Sequence, residues 1–149
     1  MTLGLMQNND GLLDLATDEA GGLATGDELQ AAILLSLMTN RRAEAAANLP
    51  DLGGWWADSF GVSITGSSLW LRDRAKPTDI TKMQIGDDAK QSLEWLITDK
   101  IASNLAVNVD FVDINPNDPK SFTVKLGIVA TRANGDIAKF DYFLGAENV

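Results

Sequence analysis

The spacing of apolar residues changes once along this chain, and no other feature narrows the fold as much. In two segments, about 26–40 and 87–103, they recur every third or fourth position, and from Leu105 onward they recur every second. The first spacing matches the 3.6-residue turn of a helix, and the second matches the two-residue repeat of a half-buried strand.

The first helix is expected from about residue 26 to 40. Thr25 and Glu28 have the spacing of a capping box, with Thr25 as N-cap. Asp27 and Glu28 suit the positive end of the helix dipole, and Arg41 and Arg42 suit the negative end. Leu29, Ala32, Ile33, Leu37 and Met38 form a stripe that Leu34 and Leu35 widen, so burial on several sides is expected. A second helix is expected over 87–103, where Ala89, Leu93, Leu96, Ile97 and Ile101 share a face behind Asp87 and Asp88. The segment 79–85 is weakly helical, with Gly86 as an interruption.

Three strands follow. Leu105, Val107, Val109 and Phe111 alternate over 105–113, and Phe122, Val124, Leu126, Ile128 and Ala130 share one face of 122–130. "NPNDP" (115–119) separates them as a turn-rich loop, and Asn134-Gly135 signals a hairpin into the return strand 137–144. A further hairpin is expected at the start, pairing 2–6 with 12–16 around "NNDG" (8–11), with another turn at "DEAGG" (18–22). The expected class is α+β: two main helices packed on a small antiparallel three-strand meander, with an N-terminal β-hairpin. One domain is expected for 149 residues.

The middle of the chain is less regular. "RRAEAAANLP" (41–50) either prolongs the first helix or adds a short one before Pro50, and "GSSLWLRDRAKPT" (66–78) reads as a loop with an extended segment at 69–72. Between them, "NLPDLGGWWADSFG" (48–61) sets Trp55 beside Trp56 directly after two glycines. Adjacent side chains on an extended chain point opposite ways, so two such rings rarely enter one core. Either the rings cover the end of the helical pair while the glycines turn the chain, or one ring locks inward and its neighbour faces out as an interface anchor.

Composition removes most chemistry. There is no cysteine and no histidine, which excludes disulfides, thiolate metal sites, Cys nucleophiles, His-dependent triads and His-ligated zinc. Carboxylate acid–base work, lysine chemistry and a carboxylate-bound hard cation remain, and no cofactor is implied. Twelve Lys and Arg stand against 21 Asp and Glu, a net charge of −9, which argues against nucleic acid and against an anionic membrane. No apolar run approaches the ~20 residues that span a bilayer. The N-terminus lacks the basic and apolar regions of a signal peptide, so folding in the cytoplasm of the cell that makes it is expected.

Four stretches occur in a fixed order: "LMTNRRAE", "GGWWAD", "GSSLWLRDRAK" and "SLEWLITDKIA". In this combination, over roughly residues 12–144, the chain resembles the Mu-like phage tail protein family whose members form part of the baseplate wedge. That family is similar to a broader group of short baseplate proteins of contractile-tailed phages, some of them called lysozymes. The broader group carries a Glu-Pro-Arg motif after the second helix, where this chain reads "TDKIASNLAV". The resemblance implies a non-enzymatic α+β domain close to the tail tube, in six copies. It would join neighbouring wedge proteins and present strands for the first sheath ring.

The candidate interface residues are Trp55, Trp56, Trp70, Arg72, Arg74 and Lys76. Core packing also accounts for Trp70, and for Trp95 at the edge of the second helix's stripe. Arg72, Arg74 and Lys76 form a basic cluster in an acidic chain, either a solvated loop or a match for an acidic partner surface. An ion pair from Arg41 or Arg42 to Asp58 is a further expectation. The strands 137–144 and 105–113 are the candidate free edges for strand addition, with Lys139 and Asp141 discouraging random pairing.

Two other classes compete. A cell-wall glycoside hydrolase needs two carboxylates flanking the scissile bond. Glu28 is explained by capping, and Glu44 and Glu94 sit in no motif. A carbohydrate-binding module would show exposed, coplanar aromatic rings.

Overall fold

The computed structural model describes residues 3–7, 13–44, 47–60, 65–72, 75–113, 117 and 122–144. The expected "NNDG" turn, most of "NPNDP", and Arg74 lie outside these residues. The elements, in order, are β1 (Leu5–Gln7), β2 (Leu13–Leu15), α1 (Glu28–Met38), α2 (Asp79–Thr98), β3 (Ala102–Asp113), β4 (Phe122–Arg132) and β5 (Ile137–Leu144). Two 3-10 turns, Trp56–Ser59 and Leu69–Arg72, lie between the helices. This is the expected α+β arrangement.

β1 and β2 pair antiparallel, and Leu3 bridges Thr25 while Thr17 bridges Leu23. Three short extended segments therefore contact one another in turn. The larger sheet has the order β3-β4-β5, all antiparallel. Its alternation is the one the sequence predicts: Val124, Leu126, Ile128 and Ala130 are buried, and Val109 and Tyr142 join them from the flanking strands. The β4–β5 hairpin closes on Asn134-Gly135, with Gly135 N–H donating to Arg132 O and Asp136 N–H donating to Asn134 Oδ1.

α1 starts later than expected. Its N-cap is Asp27, whose Oδ1 accepts from Leu29 N and, more weakly, from Gln30 N. Thr25 is engaged in the bridge to Leu3, so the capping box does not form. Asp27 also pairs with Arg132, which ties the start of α1 to the end of β4. Burial on several sides holds: Leu29, Ala31, Ile33, Leu34, Ser36 and Leu37 are buried. The helix stops at Met38 because Thr39 turns extended, so Arg41 and Arg42 lie beyond it and neither prolongs it.

α2 is one continuous helix of 20 residues, longer at its start and shorter at its end than 87–103. Thr78 caps it, its hydroxyl accepting from Thr81 N. Gly86 does not interrupt it. The glycine is buried against β3, where an added Cβ would sit 3.6 Å from Val109 Cγ2. The helix ends in a Schellman arrangement: Lys100 adopts φ +59°, Lys100 N–H donates to Ile97 O, and Ile101 N–H donates to Leu96 O. Ala89, Leu93 and Leu96 face the core as expected, whereas Ile97 and Ile101 are exposed.

The core lies between the helices and the inner face of the sheet, with Ile33, Leu34, Ile85, Leu93, Leu96, Leu126 and Ile128 fully enclosed. Phe111 and Phe122 meet edge to face at 5.6 Å, closing one end of the sheet.

Candidate functional site

Three of the four sequence stretches converge where α1 ends. Thr39 O accepts from Ser67 N (2.9 Å), Arg41 N donates to Ser67 O (2.9 Å), and Ser67 Oγ donates to Leu37 O (2.6 Å). These bonds satisfy carbonyls that a helix end leaves open. Gly66 makes the approach possible: its φ is +94°, and a Cβ there would collide with the Thr39 carbonyl. Ser67 Oγ also lies 3.4 Å from Leu69 N, at the start of the turn Leu69–Arg72. The expected extended segment at 69–72 is thus a 3-10 turn, begun by Ser67 and Ser68.

That turn carries Trp70 inward. Trp70 Nε1 donates to Arg41 O at 2.9 Å, and its six-membered ring lies against Gly53, where an added Cβ would be 3.1 Å from Cζ2. Gly54, at φ +103°, approaches Arg42 so closely that a Cβ would lie 2.7 Å from Arg42 Cβ. Ala43 N donates to Leu52 O at 2.8 Å. The two glycines before Trp55 are therefore packing positions against the second tryptophan motif and the segment after α1.

Neither Trp55 nor Trp56 enters the core. Trp55 is 47% exposed, Trp56 73% and Phe60 85%. The inward ring of the region is Trp70, and with Gly53 against it the pair that follows is left outside. Trp55 and Trp56 have centroids 6.1 Å apart at 58°, and Trp56 and Phe60 6.2 Å apart at 73°. The three rings form a ridge on the turn Trp56–Ser59, whose Asp58 carboxylate accepts from Thr65 N. Among the described residues no ion pair joins Asp58 to Arg41 or Arg42. Phe60 was absent from the sequence candidates, although its place four residues after Trp56 is the spacing of one helical turn.

The cationic candidates do not share one role. Arg72 pairs with Asp88 of α2 at 2.9 Å, both side chains largely covered, so its charge is answered within the chain. Lys76 is exposed just before the N-cap of α2. Trp95 is 40% exposed, and its Nε1 donates to Ser36 Oγ of α1 at 2.9 Å.

Glu28 and Glu94 both line a groove between α1 and α2, and both are exposed. A glycosidase acid needs an apolar, desolvated carboxyl, which this setting does not provide. The tilted rings of the aromatic ridge likewise differ from the coplanar platform of a sugar-binding module.

Among the described residues β3 and β5 are the outer strands of the larger sheet. On β5 the outward face carries Ile137, Lys139, Asp141 and Phe143, all exposed. Asp141 pairs with Lys125 of β4 at 3.1 Å. Among the described residues no helix is long and apolar enough to cross a membrane.

The family model for phage protein GP46 matches residues 29–137, from the first turn of α1 to the first residue of β5. The baseplate protein gp46 of Escherichia phage Mu is 32% identical over 133 residues, covering 87% of this chain and 86% of that protein. The Mu-like prophage FluMu protein gp46 of Haemophilus influenzae is 37% identical over 105 residues, covering 67% of this chain and 68% of that protein. The match takes in α1, α2 and the whole junction that presents the aromatic ridge, and the chain belongs to the GP46 family of phage proteins.

Proposed function

We propose that this chain is a non-enzymatic structural component of a contractile phage or prophage tail baseplate. It joins neighbouring wedge proteins and offers a sheet edge to the tail sheath. The similarity to the baseplate protein gp46 of phage Mu supports the location. The aromatic ridge is the observation that carries the mechanism. Trp56 and Phe60 are the most exposed large rings of the chain, yet they stand on a turn fixed by hydrogen bonds and by the Gly53–Trp70 contact. Rigid, solvent-facing aromatics are what interface hot spots are made of, often worth about 2 kcal/mol or more each when buried by a partner. The contacts are heterologous, different patches meeting, as suits six copies placed around a tail tube.

Strand addition supplies the second contact. β3 and β5 are the outer strands of the larger sheet, and main-chain hydrogen bonds to an added strand give affinity without demanding a particular sequence.

The test is tail assembly in a producing lysogen. Trp56→Ala and Phe60→Ala are expected to leave the melting temperature of the purified protein unchanged and to stop tail completion. Wild-type tail yield from both variants overturns the ridge as an anchor. Lysis of a peptidoglycan gel by the purified wild-type chain, abolished by Glu94→Gln, would overturn the non-enzymatic reading.

A further inference from the structure

The groove between α1 and α2 plays no part in the ridge or in the sheet edges. It measures about 910 Å³. Its floor is made of small side chains, Ala31 and Ala32, and its walls are Leu35 and Trp95, which are 48% and 40% exposed. Leu35 is the one large aliphatic residue of α1 turned away from the core, on a helix otherwise buried on several sides. Trp95 is held in place: Nε1 donates to Ser36 Oγ across the helices, and that hydroxyl donates on to Ala32 O. A ring fixed this way loses little freedom when something covers it.

The charges around the groove are uneven. Among the described lining residues Glu94 and Asp99 outnumber the cation Arg41. A channel between two helices, apolar inside and acidic at its rim, complements an amphipathic helix with apolar anchors one turn apart and Lys or Arg beside them.

We propose that this groove is a second docking site, for a basic amphipathic helix of a neighbouring baseplate protein. The proposal rests on the structural reading above and adds a partner chemistry to it. The ridge and the sheet edges then face one set of neighbours while the α1–α2 groove holds another.

The test uses assembled tails in which p-benzoylphenylalanine replaces Leu35, with a second preparation carrying it at Glu19, exposed in the turn at 18–22 and outside this groove. After irradiation, the peptides joined to this chain are sequenced by mass spectrometry. The expected result is a cross-link at position 35, absent at position 19, to a segment with apolar residues three or four apart and adjacent Lys or Arg. Adding Glu94→Lys is expected to lower the cross-link yield several-fold while leaving the circular dichroism spectrum unchanged. Tails that contain the chain but give no cross-link at position 35 overturn this proposal and leave the baseplate reading standing. A cross-link there to an acidic or extended segment, or to a small molecule, also overturns it. Tails lacking the chain altogether overturn both.

Discussion

The contrast between Trp70 and Trp56 is the sharpest consequence of the junction, because the two residues resemble each other in sequence and differ in environment. Trp70 donates its indole N–H to Arg41 O and holds its ring against Gly53. Truncating a fully buried Trp to Ala costs about 3–5 kcal/mol. Trp70 is only partly buried, so the cost for Trp70→Ala is about 2–3 kcal/mol, including about 1 kcal/mol for the lost hydrogen bond. A melting entropy of about 2.1 cal/mol/K per residue gives about 0.3 kcal/mol/K for 149 residues. The expected fall in Tm is therefore about 6–10 °C. Trp56→Ala removes a ring that is 73% exposed, and its expected cost is within about 0.5 kcal/mol, or less than about 2 °C. Differential scanning calorimetry on the two variants measures both. Hydrogen exchange adds a second reading, since Trp70→Ala removes the surface on which Gly53 rests and should speed exchange at Asp58 and Phe60 N–H. Equal losses of Tm from the two substitutions would refute the division into one inward ring and an outward ridge.

Three other substitutions probe the fold. The Tyr142 hydroxyl is buried with no hydrogen-bond partner among the described residues, so Tyr142→Phe is expected to leave stability unchanged or raise it by up to about 1 kcal/mol by urea titration. Burial, and secondly the Asp27 charge, hold the Tyr142 pKa above its ordinary value of 10.0, so its folded-state preference for the proton is fully present below pH 10 and is lost as pH rises toward the folded value. Stability should accordingly fall above about pH 10, and Tyr142→Phe should flatten that alkaline decline in Tm. Gly66→Ala places a Cβ on the Thr39 carbonyl at a positive φ and is expected to cost at least about 2 kcal/mol, read by the same titration. Lys100→Gly relieves a left-handed residue at the end of α2 and is expected to raise stability by up to about 1 kcal/mol; a loss would show that the Lys100 side chain matters more than its backbone.

Sequence periodicity was informative where a segment's partner is its own neighbour. β5 occupies 137–144 as expected, because alternation and an Asn-Gly turn are both local signals. It failed where a distant segment decides. Thr25 is a good cap by type, but its pairing with Leu3 lies 22 residues away in sequence, and Asp27 takes the role with Arg132 behind it. Gly86 weakens a helix by about 1 kcal/mol in isolation. Here it admits β3, and continuity of the apolar face from Ile85 to Leu96 outweighs the local penalty. The tryptophans follow the same rule. "GGWW" shows that one region must handle bulky rings beside glycines, but only the approach of Trp70 reveals that the glycines serve its ring. Arg72 looked like part of a surface cluster because Asp88 is 16 residues away.

The two outer strands of the larger sheet impose a condition on the free chain that its charge can meet. On the proposed reading an edge strand is offered to sheath, and such an edge is equally open to another copy of the same chain, whose pairing would consume it before assembly. Ion pairs mark both edge strands: Lys82 of α2 reaches Asp110 of β3 at 3.1 Å, and Lys125 reaches Asp141 of β5 at the same distance. These pairs are exposed and contribute little stability, but they leave Lys139 exposed on β5 with no ion pair among the described residues, and both edges within a body of net charge −9. Two copies meeting edge to edge repel, whereas a basic partner strand does not. The repulsion acts over a Debye length of about 10 Å at 0.1 M salt and shrinks to about 3 Å at 1 M. Sedimentation velocity should therefore show a monomer at low salt and growing self-association as salt rises, with Lys139→Glu holding the monomer to higher salt. Self-association that is strongest at low salt would mean that the edges attract rather than repel, and that something other than net charge keeps them available.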